Sequence, residues 1–311
     1  MKKEILFSME SPYRDTFRIR GYRFGEGEKS LAIVGSMRGD EIQQLYICSQ
    51  LVKQLKELED KGMLIPDHEI LIIPSANPFS MNLEKRFWAM DSTDINRMFP
   101  GYNLGETTQR IAAGLFEAIK DYSYGIQMAS YYMPGNFIPH VRMLETGYED
   151  IDTAKLFGMP YICRRKPLPF DTTLLNYNWQ IWETKAFSIY GGQNNEVEGK
   201  ESTSTINTIL HFMQRIGLID KSIRAHCADY NSVLLDESEL ISVNAPTAGI
   251  FYKKKDAGDE VKKGTPLGQI LDPYEGVVKS KIFAPEDGVV FFAHNKSLAL
   301  QNTPLFKIHK F

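Results

Sequence analysis

The sequence predicts an α/β fold with a largely parallel sheet flanked by helices, followed by a smaller all-β unit. Three observations carry that expectation. Short apolar runs alternate with amphipathic helical patterns over the first two thirds of the chain. After about residue 224 the long helical patterns stop, and short valine- and isoleucine-rich runs punctuated by Gly and Pro take over. Within that last part a block of sequence repeats itself.

Residues 31–35 (LAIVG) form a short apolar run ending in glycine, expected as a strand. From about Asp40 to Lys61 a helix is expected, because Ile42, Leu45, Leu51, Leu55 and Leu58 recur at helical spacing. Residues 70–74 (ILIIP) read as the next buried strand, residues 107–120 as an amphipathic helix, and residues 159–163 and 187–190 as further strands. A last helix is expected over residues 202–217, with Ile206, Ile209, Leu210, Met213 and Ile216 on one face. Binding loops in such sheets lie at the carboxyl ends of the strands. That singles out residues 35–41 and 75–78. Beyond the helices, APTAG (residues 245–249) recurs as APEDG (284–288), and TPL (265–267) recurs at 303–305. Two similar β units predict a small barrel or sandwich of two pseudo-symmetric halves. The expected division is therefore 1–223 for the α/β domain and 224–311 for the β domain.

A chain of 311 residues, 43% of them hydrophobic, is long enough for one large core and a smaller module. The net charge of −3, with both signs mixed, points to no nucleic acid and no anionic membrane as partner. Cys48, Cys163 and Cys227 are far apart and make no CxxC spacing, so reduced thiols are expected rather than disulfides or a thiolate metal site. The N-terminal apolar stretch is short and broken by Glu4 and Glu10, unlike a signal peptide. No apolar run approaches the ~20 residues that span a bilayer. A cytoplasmic protein is expected.

Two resemblances sharpen these expectations. The pattern from residue 245 onward, A-P-x-x-G and then G-D-x-V-K-K-G-T-P-L-G, resembles a biotinyl/lipoyl-type hybrid barrel. In true carriers the hairpin between the halves holds a lysine. Here it reads LDPYEG (271–276) and has none, which implies a structural appendage rather than a swinging arm. In the main domain, VGSMRGDE (34–41), SANP (75–78) with Arg86, DINRMFPG (94–101) and IYGG (189–192) resemble the succinylglutamate desuccinylase/aspartoacylase family. That resemblance implies a zinc-carboxypeptidase-like fold and, in active members, zinc-dependent hydrolysis of an amide bond in an N-acylated amino acid.

The family takes two zinc ligands from H-G-x-E, a third from D-x-H, and its general base from E-x-G-G. Such a zinc keeps one position open for a water that a glutamate deprotonates. Glu41 matches the ligand glutamate. Arg38 stands at the first histidine and cannot ligate, since its guanidinium stays protonated. Gln127 and Ala129 stand at the aspartate and second histidine, and Ile189 at the base. The resemblance places substrate anchoring on Arg86, Asn96 and Arg97, with Asp94 orienting the arginines. Arg38 is expected to pair with Glu41 and to replace the missing metal charge. His140 borders the pocket in relatives and is the one histidine placed to substitute for a ligand. His226 and Cys227 lie at the domain junction, where they either bind metal or pack. The aromatic stretch SYYMPGNF (130–137) is expected to pack against the barrel, with a pocket lid or protein contact as the alternative.

The expected function is therefore a family member without zinc or other cofactor. It would bind a small carboxylate or N-acyl amino acid, or pair with a second copy or an active paralogue. The alternative is a metal-dependent amide hydrolase with rearranged zinc ligands.

Overall fold

The chain opens with a hairpin, β1 (Lys2–Ser11) and β2 (Arg14–Phe24), which leads into β3 (Glu28–Ser36). The main domain continues through α1 (Ile42–Asp60), β4 (His68–Ser75), α2 (Pro78–Met81), α3 (Thr107–Ile119), β5 (Tyr124–Met128), β6 (Gly135–Phe137), β7 (His140–Leu144) and α4 (Ile151–Lys155). It ends with β8 (Tyr161–Arg165), α5 (Leu175–Ile181), β9 (Lys185–Tyr190), α6 (Gly199–Arg215) and β10 (Val233–Asp236). This computed structural model describes residues 1–11, 14–223 and 227–311.

Nine strands form one sheet in the order β1-β2-β4-β3-β5-β9-β7-β8-β10. It is mixed: β1–β2, β2–β4 and β7–β9 run antiparallel, and the other neighbours run parallel. Both faces are covered. On one face α1 contributes Ile47, Leu51 and Leu55 and α6 contributes Ile206, Ile209 and Phe212 to a core with Ile33, Ile126, Val141 and Ile189. On the other face α3 and α5 bury Ile111, Leu115, Leu175 and Trp179 against Ala32, Val34, Leu71 and Ala186. Alternation along each strand separates these two sets. The expected helices and inner strands are all present, with ends shifted by no more than three residues.

The N-terminal hairpin was not expected. Its second strand buries Phe17 and Ile19 while an Arg23–Glu4–Glu69 ion network fastens it to β4. The expected junction at residue 224 also shifts. Arg224, Ala225 and His226 lie outside the described residues, and β10, which follows them, pairs with β8 as the last strand of the large sheet. The α/β unit therefore extends to Asp236. Cys227 is half-buried, within 3.7 Å of the Thr208 hydroxyl and 3.8 Å of the Phe157 carbonyl.

The remaining strands are β11 (Ile241–Asn244), β12 (Gly249–Lys253), β13 (Glu260–Val261), β14 (Pro266–Leu271), β15 (Val278–Phe283), β16 (Gly288–His294), β17 (Leu298–Ala299) and β18 (Pro304–Lys310). They form two antiparallel sheets, β11-β18-β16-β13 and β15-β14-β12-β17. The sequence repeat maps β11–β14 onto β15–β18. In each sheet the outer two strands come from one half and the inner two from the other, so the halves exchange strands. The 271–276 hairpin joins β14 to β15, and Tyr274 at its tip is almost fully exposed.

The 130–137 segment ties the two parts together. β6 pairs with β16, placing Phe137 opposite Phe292. Tyr131 and Phe137 then pack on Phe291 and Phe292. Among the described residues no helix is long and apolar enough to cross a membrane.

Candidate functional site

The loop after β3 turns sharply before α1. Gly39 permits this turn, because a Cβ there would lie 2.2 Å from the Lys85 carbonyl oxygen and 2.3 Å from that of Ser80. Glu41, the residue preceding α1, is fully buried. Its Oε2 accepts hydrogen bonds from the Met37 and Arg38 amides at 2.8 and 3.0 Å. Its Oε1 accepts from Arg38 Nη1 at 3.1 Å and from the Ser130 hydroxyl. Arg38 is 7% exposed and spans from Glu41 to Asp94, donating Nη2 and Nε to Asp94 Oδ2 at 2.8 and 3.2 Å. Burial alone would ease its proton off, but Asp94 and Glu41 together raise its pKa above the ordinary arginine value. The expected Arg38–Glu41 pair is thus present, and Asp94 completes it.

A cavity of about 470 Å³ opens at the carboxyl ends of β5 and β9. Arg38, Gln127, Ala129, Asn96 and Arg97 line it. Gln127 Oε1 accepts from Asn176 Nδ2 at 3.1 Å, and Asn176 also donates to the Ser188 hydroxyl. Asp94 Oδ1 caps the short turn at Asn96, and the Asn96 side chain accepts from the Leu175 amide at 3.4 Å. Arg97 lies over the Phe170 ring and donates to the Phe170 carbonyl at 3.1 Å.

Two expected site residues lie elsewhere. Ile189 is 1% exposed and belongs to the core under α1 and α6, on the opposite face of β9 from the cavity. The β9 residues that line the cavity are its neighbours Ser188 and Tyr190. Arg86 is also separate from the cavity: it pairs with Asp40 at 3.0 Å and donates to the Tyr131 carbonyl at 3.2 Å. The expected anchor of Arg86, Asn96 and Arg97 is therefore only two thirds assembled. His140 is not a candidate ligand either. It is fully buried behind the Tyr190 ring, stacked at 5.0 Å, with Nδ1 on the Ile138 carbonyl.

The cavity also contains residues the sequence did not announce. Arg142 on β7, Arg165 on β8 and Glu237 just after β10 all line it. Arg142 sits 4.5 Å from the centre of the Tyr190 ring. Its only sequence signal is a lone arginine in the apolar strand HVRML.

The side chains at this site do not fit a zinc ion. Both Glu41 oxygens are already committed to amides, a hydroxyl and a guanidinium. Ala129 offers a methyl group where an imidazole nitrogen would be required. Among the described residues, no group of three or more His, Cys, Asp or Glu side chains is arranged to hold a metal.

The structure is that of a two-part protein, with an α/β domain that carries the cavity and a smaller all-β part packed against it. Residues 27–168 match the succinylglutamate desuccinylase/aspartoacylase catalytic domain. It is 24% identical over 278 residues to the N-alpha-acetyl-L-2,4-diaminobutyric acid deacetylase of Halomonas elongata, covering 86% of this chain and 77% of the relative. A succinylglutamate desuccinylase from Silicibacter sp. TM1040 superposes with a TM-score of 0.81 at 15% identity, over 98% of this chain and 92% of its own. The product-bound ectoine utilization protein EutE (DoeB) of Ruegeria pomeroyi does so with a TM-score of 0.78 at 16% identity, over 95% and 90%. These structural similarities establish the shared fold.

Proposed function

We propose that this protein binds a small carboxylate or N-acyl amino acid in its cavity without hydrolysing it, and that Arg38 stands in place of the metal. The observation that carries this is the Arg38 guanidinium itself, held between Glu41 and Asp94 at hydrogen-bond distance. A zinc ion bound by Glu41 would have to displace a buried cation that already satisfies both carboxylates. Burying a second cation there would cost far more than it returns. The C-terminal sheets support an assignment as a lipoyl-like hybrid barrel without a carrier lysine. Its part is structural: through β6 it fixes Tyr131 and Tyr132 in the cavity wall. A cytoplasmic location, and assembly with a second copy or an active paralogue, belong to the same proposal.

The test is the metal content of purified protein after zinc supplementation, alongside Glu41→Ala. Zinc far below one per chain is expected in both. Near-stoichiometric zinc that disappears in Glu41→Ala would overturn the proposal.

The competing reading is a metal-dependent hydrolase of the amide bond in an N-acylated amino acid, with rearranged zinc ligands. That mechanism predicts turnover of an N-acetylated amino acid that a chelator abolishes.

A further inference from the structure

The charges around the cavity do not balance, and the excess is centred on Arg142. Arg142, Arg165 and Lys307 all approach one carboxylate, Glu237, at 3.7, 3.5 and 2.8 Å. Arg165 has a second carboxylate, Asp171, at 2.8 Å. Two carboxylates thus face three cations. The neighbouring clusters close on themselves, since Arg38 and Arg97 share Glu41 and Asp94, and Arg86 has Asp40.

Arg165 Nε and Glu237 Oε2 also lack a hydrogen-bond partner, but Arg142 is the most enclosed of the three cations and has two unpaired donors. It is 8% exposed, and its Nε and Nη2 have no hydrogen-bond partner. Its other surroundings are aromatic: the ring of Tyr190 at 4.5 Å, with Phe137 and Tyr131 at 5.7 and 5.9 Å. Stacking fixes the plane of a guanidinium and leaves its in-plane donors free for a forked acceptor. A buried cation with unmet donors is costly, and an anion entering the cavity relieves both the charge and the donors.

We propose that Arg142 is the seat for the ligand's carboxylate, which accepts hydrogen bonds from the guanidinium while Tyr190 holds its plane. This rests on the cavity being a carboxylate site, and it assigns the anchor to Arg142 rather than to Arg86, which is not part of the cavity lining and is paired with Asp40. Arg97, more exposed, contacts the ligand at the outer side.

Calorimetric titration and thermal shift in chloride-free buffer test the assignment, with acetate, succinate, inorganic phosphate and acetamide as probes. Acetate and succinate are expected to bind and to raise Tm, and neutral acetamide to do neither. Arg142→Met should weaken succinate binding by at least about tenfold, and Arg97→Gln by less. Arg142→Met should also raise the Tm of the ligand-free protein, because Glu237 keeps Lys307 and Arg165. Should that variant misfold, Arg142→Lys retains the charge without the fork and is expected to lose several-fold affinity with the fold intact. Unchanged succinate affinity in either variant overturns the proposal, as does phosphate binding in preference to both carboxylates. Stoichiometric zinc combined with Arg142-dependent succinate binding would remove the metal-free function and leave this anchor standing.

Discussion

The Arg38 guanidinium and the Glu41 carboxylate are three residues apart in sequence and 3.1 Å apart in space, and both are withdrawn from solvent. Removing the cation strands Glu41 and Asp94 in a dry environment. Arg38→Ala is expected to cost about 3–5 kcal/mol in urea unfolding, the range for breaking a buried pair from one side. A loss under about 1 kcal/mol would mean that water reaches both carboxylates.

The face assignment of β9 has its own test. Ile189→Glu drives a carboxylate into the core between α1 and α6, and a destabilisation above about 4 kcal/mol is expected. Ser188→Glu, one residue earlier, places the same group in the cavity and should fold. Equal tolerance of the two substitutions in thermal melts would reverse the assignment.

Acid should weaken the fold in two windows. Burial, with Arg142 nearby, lowers the His140 pKa to about 3, so the folded imidazole is neutral. An unfolded histidine takes up a proton near pH 6.5. The unfolded chain then binds more protons, and stability falls as pH drops from about 6.5 toward 3, by up to ~1.4 kcal/mol per pH unit. Burial raises the Glu237 carboxyl, but Arg142, Lys307 and Arg165 outweigh it and hold the pKa at about 2. Its contribution is complete above the unfolded value of ~4.3 and is lost as pH falls toward 2. Urea titrations across pH should show His140→Phe flattening the upper window and Glu237→Gln the lower. Parallel curves for wild type and His140→Phe would mean a histidine that charges in the folded state.

The seam between the two parts depends on Phe292, which packs against Tyr131 and Phe137 across the β6–β16 pair. Phe292→Ala is expected to cost about 3–5 kcal/mol. Because Tyr131 lines the cavity, it should also weaken carboxylate binding, read in the same calorimetric titration. Loss of stability with unchanged affinity would show that the wall holds its shape without the seam.

Much of this architecture is legible in the chain itself. The helical spacing of Ile42 to Leu58, the buried run 70–74 and the duplicated APxxG block each find their element. Two failures have physical causes. A strand alternates faces every residue, so a motif match that ignores strand parity can put Ile189 at a reactive position when the fold turns it to the core. Arg142 is legible only as one polar residue in an apolar strand, since its partner Glu237 arrives after three further helices and three strands. The N-terminal hairpin did leave a signal, Phe17 and Ile19 alternating with Arg18 and Arg20, but its edge strand exposes Ile5 and blurs the pattern.

The exchange of strands in the C-terminal sheets means that neither repeat can close its own core. A single cut at the exposed Tyr274 tip would therefore yield two pieces interlaced like clasped hands, held by every shared sheet. The duplicated block is accordingly one cooperative body, and a chain bearing a single copy would have to borrow its missing strands from a neighbour.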